Sequence, residues 1–360
     1  MTERAHNFNP GPAALPLEVL KRAQEEFVNY QGIGMSVMEI SHRSKEYEQI
    51  NADAQKLFAE LTGLTTDYKV LFLQGGASTQ FAMVPLNFLS EGKTAQYIVN
   101  GSWGEKAVKD ASAVGKTAVV GGEKPYVKTV DLSNIPLADD TAYVHITSNE
   151  TIEGIQYDQF PDTGDVPLIA DMSSDILCRP LDFSRFSLVY AGAQKNLGPS
   201  GVTVVVIRED MLERIQRDLP KMLRYDTHVK ADSLYNTPPV FSVYMVKLVL
   251  EWLRDQGGLA AIERRNREKA DLLYRVIDES DGFYRGTADP ACRSLMNVTF
   301  RLRDEALEKQ FLQQAADNGF VGLKGHRSVG GMRASIYNAV PLESCQALAQ
   351  FMDDFYKKHG

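Results

Sequence analysis

Apolar positions along this chain follow two rhythms. Short apolar runs at 69–73, 96–99, 117–120, 142–146, 168–170, 188–190 and 202–207 predict buried strands. Helical or loop segments separate them. Leu20, Ala23, Phe27 and Tyr30 fall at helical spacing, and a better helix begins near Ser44, with Tyr47, Ile50, Ala54, Leu57, Phe58 and Leu61 on one face. Strands alternating with crossovers imply an α/β fold with a mostly parallel sheet covered on both faces. In such sheets ligands bind beyond the carboxyl ends of the strands.

The pattern changes after residue 240. Two long helices over 240–278 are broken at Gly257-Gly258, and the second carries the charged run Glu263-Arg-Arg-Asn-Arg-Glu-Lys269, read mostly as a solvated face. Strand 296–301, helix 304–317, strand 332–337 and helix 342–357 then suggest a smaller α+β domain. The segment Asn7-Phe-Asn-Pro-Gly-Pro-Ala-Ala-Leu-Pro16 is too rich in proline for a regular helix or a central strand. We expect a large domain over 16–258, with 1–15 plus 259–360 forming the small one.

Composition narrows the classes. With 360 residues, 44% of them apolar, a large core is possible. The net charge of −8, without a block of lysines and arginines, disfavours nucleic acid as a partner. Cys178, Cys292 and Cys345 are far apart and contain no CxxC pair, which argues against a disulfide framework or a zinc ribbon and predicts no metal site. No signal-like start and no 18-residue apolar run appear, so the expectation is a cytoplasmic protein without a membrane partner.

The chemistry centres on Lys195. It lies in Ala191-Gly-Ala-Gln-Lys195-Asn-Leu-Gly-Pro-Ser-Gly201, between two apolar runs. Burial would push its amine towards the neutral form, which attacks aldehydes; a lone lysine is more often on a solvated turn. Four other segments follow strand ends. Leu168-Ile-Ala-Asp171-Met-Ser173-Ser174 offers an acid for a protonated pyridine nitrogen, or an ordinary cap. Gln74-Gly75-Gly76-Ala77-Ser78-Thr79 offers amides and hydroxyls to an anion at a helix start, though it is neither GxGxxG nor a Walker loop. Asn100-Gly-Ser-Trp103 offers an indole that could stack on a flat ring or simply pack. Thr147-Ser-Asn-Glu-Thr151-Ile-Glu-Gly154 is a polar cluster for a ring hydroxyl, or an ordinary loop.

In this order the segments resemble the fold type I pyridoxal-phosphate enzymes. Asn9-Pro-Gly-Pro-Ala, Ser41-His-Arg-Ser, Gln74-Gly-Gly-Ala, Asn100-Gly-Ser-Trp-Gly, Ala170-Asp-Met-Ser-Ser, Ala191-Gly-Ala-Gln-Lys-Asn, Tyr235-Asn-Thr-Pro-Pro and Gly325-His-Arg-Ser-Val-Gly-Gly-Met-Arg-Ala-Ser resemble the phosphoserine aminotransferase family in class V, from about residue 7 to 340. The resemblance implies that Lys195 joins pyridoxal 5'-phosphate covalently and later shuttles a proton. Asp171 would face the ring nitrogen, Trp103 would stack on the ring, and Thr151 would reach its 3-oxygen. Gly76, Ala77 and Ser78 would form the phosphate cup, with Ser173 and Gln194 close by. Asn236 and Thr237 would reach that phosphate from the second subunit of a homodimer with shared sites. Arg43 and Arg333 would bind carboxylate, and His42, His326 and Arg327 the distal anion, arginine forks being suited to both.

The implied reaction exchanges 3-phosphohydroxypyruvate and L-glutamate for O-phospho-L-serine and 2-oxoglutarate, in serine biosynthesis. A related phosphorylated substrate of pyridoxine synthesis, 4-phosphohydroxythreonine, is left open. Many relatives carry arginine in a Gly-Gly-Ala-Arg-Gly-Gln cup; Ser78-Thr79 here keeps hydrogen-bond donors but removes a cation near the substrate. Competing readings are an alanine–glyoxylate-like transaminase, a cysteine desulfurase, a dinucleotide-binding oxidoreductase and a silent scaffold. The third lacks its GxGxxG turn with an acid about 20 residues on.

Overall fold

The computed structural model describes residues 4–360. Seven strands form the central sheet: β1 (Tyr68–Leu73), β2 (Thr94–Val99), β3 (Lys116–Gly121), β4 (Thr141–Thr147), β5 (Leu168–Asp171), β6 (Leu188–Gly192) and β7 (Thr203–Arg208). Their spatial order is β1-β7-β6-β5-β4-β2-β3. β7 runs antiparallel to both neighbours, while the other pairs are parallel. A short connection permits that reversal, because β6 and β7 are joined only by the tight turn bearing Lys195.

The strands' apolar residues alternate between two cores, as a period of two requires. Val70, Phe72, Ile98, Val144, Ile146, Ala170, Val189, Ala191, Val204 and Val206 join one cluster. Leu71, Leu73, Tyr97, Val99, Tyr143, Ile169, Leu188, Tyr190, Val205 and Ile207 join the other. The first face is covered by the helices α1 (Leu17–Glu26), α2 (Lys45–Thr62) and Val240–Asp255; the second by α3 (Gly76–Phe88) and α4 (Ser102–Ser112). Only the edge strand β3 is largely exposed. Ser44 caps α2, accepting from the Tyr47 N–H, and Gly63 ends the helix in the left-handed region. The helical spacing expected through Tyr30 stops earlier: α1 ends at Glu26, and Tyr30 begins a separate turn of 3₁₀ helix.

A three-stranded antiparallel sheet, Tyr284–Gly286, Asn297–Leu302 and Met332–Ser335, lies towards the C-terminus. It packs with the helices Gly258–Asp278, Glu305–Asp317 and Leu342–His359 around a separate apolar cluster that also takes in Phe8 and Ala14. The expected break between the two long helices is present, with Gly257 at φ +94° and Gly258 at φ +73°. The charged run on the second of these helices is not wholly solvated. Asn266 and Lys269 are fully buried. Lys269 Nζ donates to the carbonyls of Ile336 (2.9 Å), Tyr337 (2.7 Å) and Val340 (3.2 Å).

Candidate active site

Every flagged segment after a strand of the large sheet lies at that strand's carboxyl end, so parallel topology gathers them at one edge. Lys195 sits in the turn after β6, which is closed by Ala193 N–H to Val202 O (3.1 Å) and Gly198 N–H to Ala193 O (2.8 Å). The proline-rich N-terminal segment crosses the turn, with Ala13 N–H donating to Gln194 O at 2.9 Å. Gly11 passes so close that a Cβ there would stand 3.2 Å from Lys195 Cγ. Lys195 Nζ donates to Thr151 Oγ1 at 2.7 Å and lies 5.2 Å from the centre of the Trp103 ring. Burial pushes its amine down to about 8, against the opposing pull of Asp171 and Glu150 and with the help of Arg333. The residue keeps some exposure to solvent.

Asp171 ends β5 and is buried. Its Oδ1 accepts the Ser173 N–H (2.9 Å) and hydroxyl (2.7 Å), and Oδ2 takes no hydrogen bond from the described residues. Burial raises its pKa, while Ser173 and the Lys195 charge pull it back. Ser173 Oγ in turn accepts the Gly192 N–H at 3.1 Å, which ties the ends of β5 and β6 together. Gln194 folds back over Gly192, where a Cβ would meet its Oε1 at 2.7 Å.

The glycine turn after β1 opens α3. Gly75 has φ +90° and Gly76 φ +65°, and a Cβ on Gly75 would stand 2.0 Å from Thr79 Oγ1. The first-turn amides at Gly76, Ala77 and Ser78 are therefore available to an anion, reinforced by the helix dipole. Thr79 is not a donor to that cup, because its hydroxyl is turned back onto Gly75 O at 3.0 Å.

Arg333 is buried on the last strand of the smaller sheet. Its Nη1 donates to Thr151 O at 3.3 Å, and its Nε has no partner among the described residues. Burial lowers its pKa. The imidazole of His326 bonds Ser328 Oγ at 2.7 Å; burial and then the charges of Arg333, Lys106 and Arg327 lower its pKa. Lys106, which no motif singles out, stands 3.9 Å from the centre of the Trp103 ring.

Two predicted pairs make no hydrogen bond to Lys195 among the described residues. His42 and Arg43 precede α2, with Arg43 exposed and its N–H bonded only to Ser41 Oγ (3.2 Å). Asn236 and Thr237 lie beside the glycine turn instead: Thr237 O accepts from Gln74 Nε2 at 3.1 Å and from Asn236 Nδ2 at 3.3 Å.

A lysine amine with a lowered pKa, a buried acid, an indole and the free first-turn amides of a helix thus lie at one sheet edge. The profile of the Aminotransferase class-V family matches residues 5–348, and the chain belongs to that pyridoxal-phosphate-dependent family. Within it, the similarities are to phosphoserine aminotransferases. The enzyme of Niallia circulans is 60% identical over 362 residues, covering 100% of both chains. The structure of the phosphoserine aminotransferase from Bacillus circulans subsp. alkalophilus superposes with a TM-score of 0.98 at 60% identity, over 100% of both chains. The pyridoxal-phosphate-bound enzyme of Trichomonas vaginalis superposes with a TM-score of 0.92 at 39% identity, covering 97% of this chain and 99% of that one. The chain is thus an aminotransferase of the phosphoserine aminotransferase group.

Proposed function

We propose that the chain interconverts 3-phosphohydroxypyruvate plus L-glutamate with O-phospho-L-serine plus 2-oxoglutarate. The observation that carries this is the approach of Lys195 Nζ to Thr151 Oγ1 (2.7 Å) and the Trp103 ring (5.2 Å) at the sheet edge where Asp171 ends β5. Pyridoxal 5'-phosphate, when bound, supplies an electron sink for charge released at the substrate Cα. The chain's residues do the rest. Lys195 Nζ, with its pKa near 8, takes and returns the Cα proton, and Thr151 orients it. Asp171 holds a proton on the ring nitrogen, and Trp103 covers the ring. Gly76, Ala77 and Ser78 bind the phosphate from the start of α3, with Ser173 and Gln194 at the neighbouring strand ends.

Arg333 is assigned to the substrate carboxylate, since its buried Nε lacks a partner. His326 and Arg327 are assigned to the distal anion. Arg43 is assigned with Arg333 to carboxylate and His42 with His326 and Arg327 to the distal anion, while Asn236 and Thr237 are assigned to the cofactor phosphate of a second subunit in a homodimer. The central and C-terminal sheets with their separate apolar clusters support two domains, expected as 16–258 and 1–15 plus 259–360, although Leu15, Leu259 and Ile262 pack with the central sheet's cluster. The expected place is the cytoplasm, in serine biosynthesis, with the pyridoxine-pathway substrate as a further one. Among the described residues no helix is long and apolar enough to cross a membrane.

Steady-state rates with O-phospho-L-serine, L-serine and L-alanine as amino donors test the substrate. We expect phosphoserine to be preferred by at least about a hundredfold in kcat/KM. Equal rates without the phosphate would remove the substrate assignment and leave only the family.

A further inference from the structure

The polar cluster after β4 contains two acids, Glu150 and Glu153, that no step of the reaction uses. Both are buried, at 0% and 7% exposure. Both point at the first turn of α4. Glu150 Oε2 accepts the Trp103 N–H at 2.9 Å, and Oε1 accepts the Gly104 N–H at 2.8 Å. Glu153 Oε1 accepts the Ser102 N–H at 3.1 Å and the Ser102 hydroxyl at 2.6 Å. The amides of Ser102, Trp103 and Gly104 therefore end on two carboxylates from another segment. The helix has no cap of its own, because its N-cap position is Gly101. A Cβ there would stand 2.2 Å from the Glu150 carboxyl carbon, so the glycine makes room for the acid.

Two acids in one buried site are costly: burial, then the Glu153 charge, raises the pKa of Glu150, and burial, with a smaller push from Glu105, raises that of Glu153. A serine or aspartate at the cap would satisfy a helix start more cheaply. What the acids add is a fixed relation between two parts of the site. Glu150 holds the backbone of Trp103, while the next residue, Thr151, holds Lys195 Nζ.

We propose that Glu150 is a positioning residue, which clamps the first turn of α4 so that the Trp103 indole is held at the depth where it covers the cofactor ring. The proposal rests on the pyridoxal-phosphate reading of the site. Glu150 acts through Trp103, since both of its oxygens are taken by the first-turn amides of α4. In Glu150→Gln one acceptor oxygen becomes an amide NH₂ group facing an N–H donor, so one of the two clamps is lost without a change of size.

A double-mutant cycle on cofactor-free enzyme tests this, with the Kd for pyridoxal 5'-phosphate measured by equilibrium dialysis for the parent, E150Q, W103F and the double variant. Trp103 and Trp252 are the chain's 2 tryptophans, so a Trp252→Phe background also lets emission report on Trp103 alone. We expect E150Q to weaken binding at least about tenfold and shift Trp103 emission, and to weaken it less than about threefold when Trp103 is already Phe. Unchanged binding in E150Q, or full additivity in the double variant, would overturn the proposal; additivity would mean that the Glu150 charge acts directly on Lys195. Should E150Q not fold, Gly104→Ala gives the same test, since its Cβ would press on Glu150 Oε1 from 3.2 Å. A parent protein that does not bind pyridoxal phosphate would overturn the underlying reading, and this proposal with it.

Discussion

Removing the Asp171 charge should make Lys195 more reactive while weakening cofactor binding. The amine's pKa is pushed from 10.5 down to about 8, with burial as the main cause and Asp171 the largest opposing influence. At pH 7 a pKa of 8 leaves about a tenth of the amine unprotonated, against roughly three parts in ten thousand at 10.5. The fold therefore raises the attacking form about 300-fold. Asp171→Asn removes the nearby negative charge, so the pKa should fall further and the free-amine fraction at pH 7 should rise. The assay is reductive methylation of cofactor-free enzyme with formaldehyde over pH 6–11, with the Lys195 peptide quantified by mass spectrometry. Lys195 is partly exposed and open to a small reagent, whereas Lys269 is fully buried and serves as an internal blank. The wild-type profile should bend near 8 and that of Asp171→Asn lower, while Asp171→Asn loses at least about tenfold in affinity for pyridoxal phosphate. A wild-type inflection near 10.5, or an upward shift in the variant, would refute this account of Lys195.

Three further outcomes follow from the geometry. Lys269→Met strips three buried carbonyls of their donor and should lower stability by about 2–4 kcal/mol in urea unfolding, whereas an unchanged midpoint would mean that water replaces the ammonium. Arg333→Lys keeps the charge but loses the fork, so the KM for glutamate should rise about 10- to 100-fold; an unchanged KM would move the carboxylate elsewhere. Gly75→Ala must place a side chain at φ +90° and 2.0 Å from Thr79 Oγ1, so the variant should shed pyridoxal phosphate on gel filtration, and full retention would dismiss the cup.

Six of the seven strands of the large sheet were legible because they are buried on both faces and read as mostly apolar runs, while the largely exposed edge strand β3 still shows the run Ala118-Val-Val120. That signal places 69–73 and 142–146 within one or two residues of β1 and β4. It says nothing of direction; only the short, helix-free connection between Gly192 and Thr203 carries the reversal of β7. The gathering of Lys195, Asp171, Trp103 and Thr151 at one edge was legible because each stands at or shortly after a strand's carboxyl end, inside a specific motif. Their partners were not. Asn266 and Lys269 sit in a run of charges that reads as solvated, yet Asn266 Nδ2 bonds Asn338 Oδ1 (2.8 Å) and the Asn338 N–H bonds Asn196 Oδ1 (2.9 Å). This buried chain leads from the C-terminal helices to the residue beside Lys195, over separations no local pattern carries. Glu150 and Glu153 were visible only as acids three residues apart. Their role depends on the first turn of α4, some 50 residues earlier, as the separations of 47 and 51 show.

The most direct test treats pyridoxal-phosphate-loaded enzyme with borohydride and maps the modified peptide. A single pyridoxyl group on Lys195 is the predicted result. A label on another lysine, or no label at all, would contradict the account.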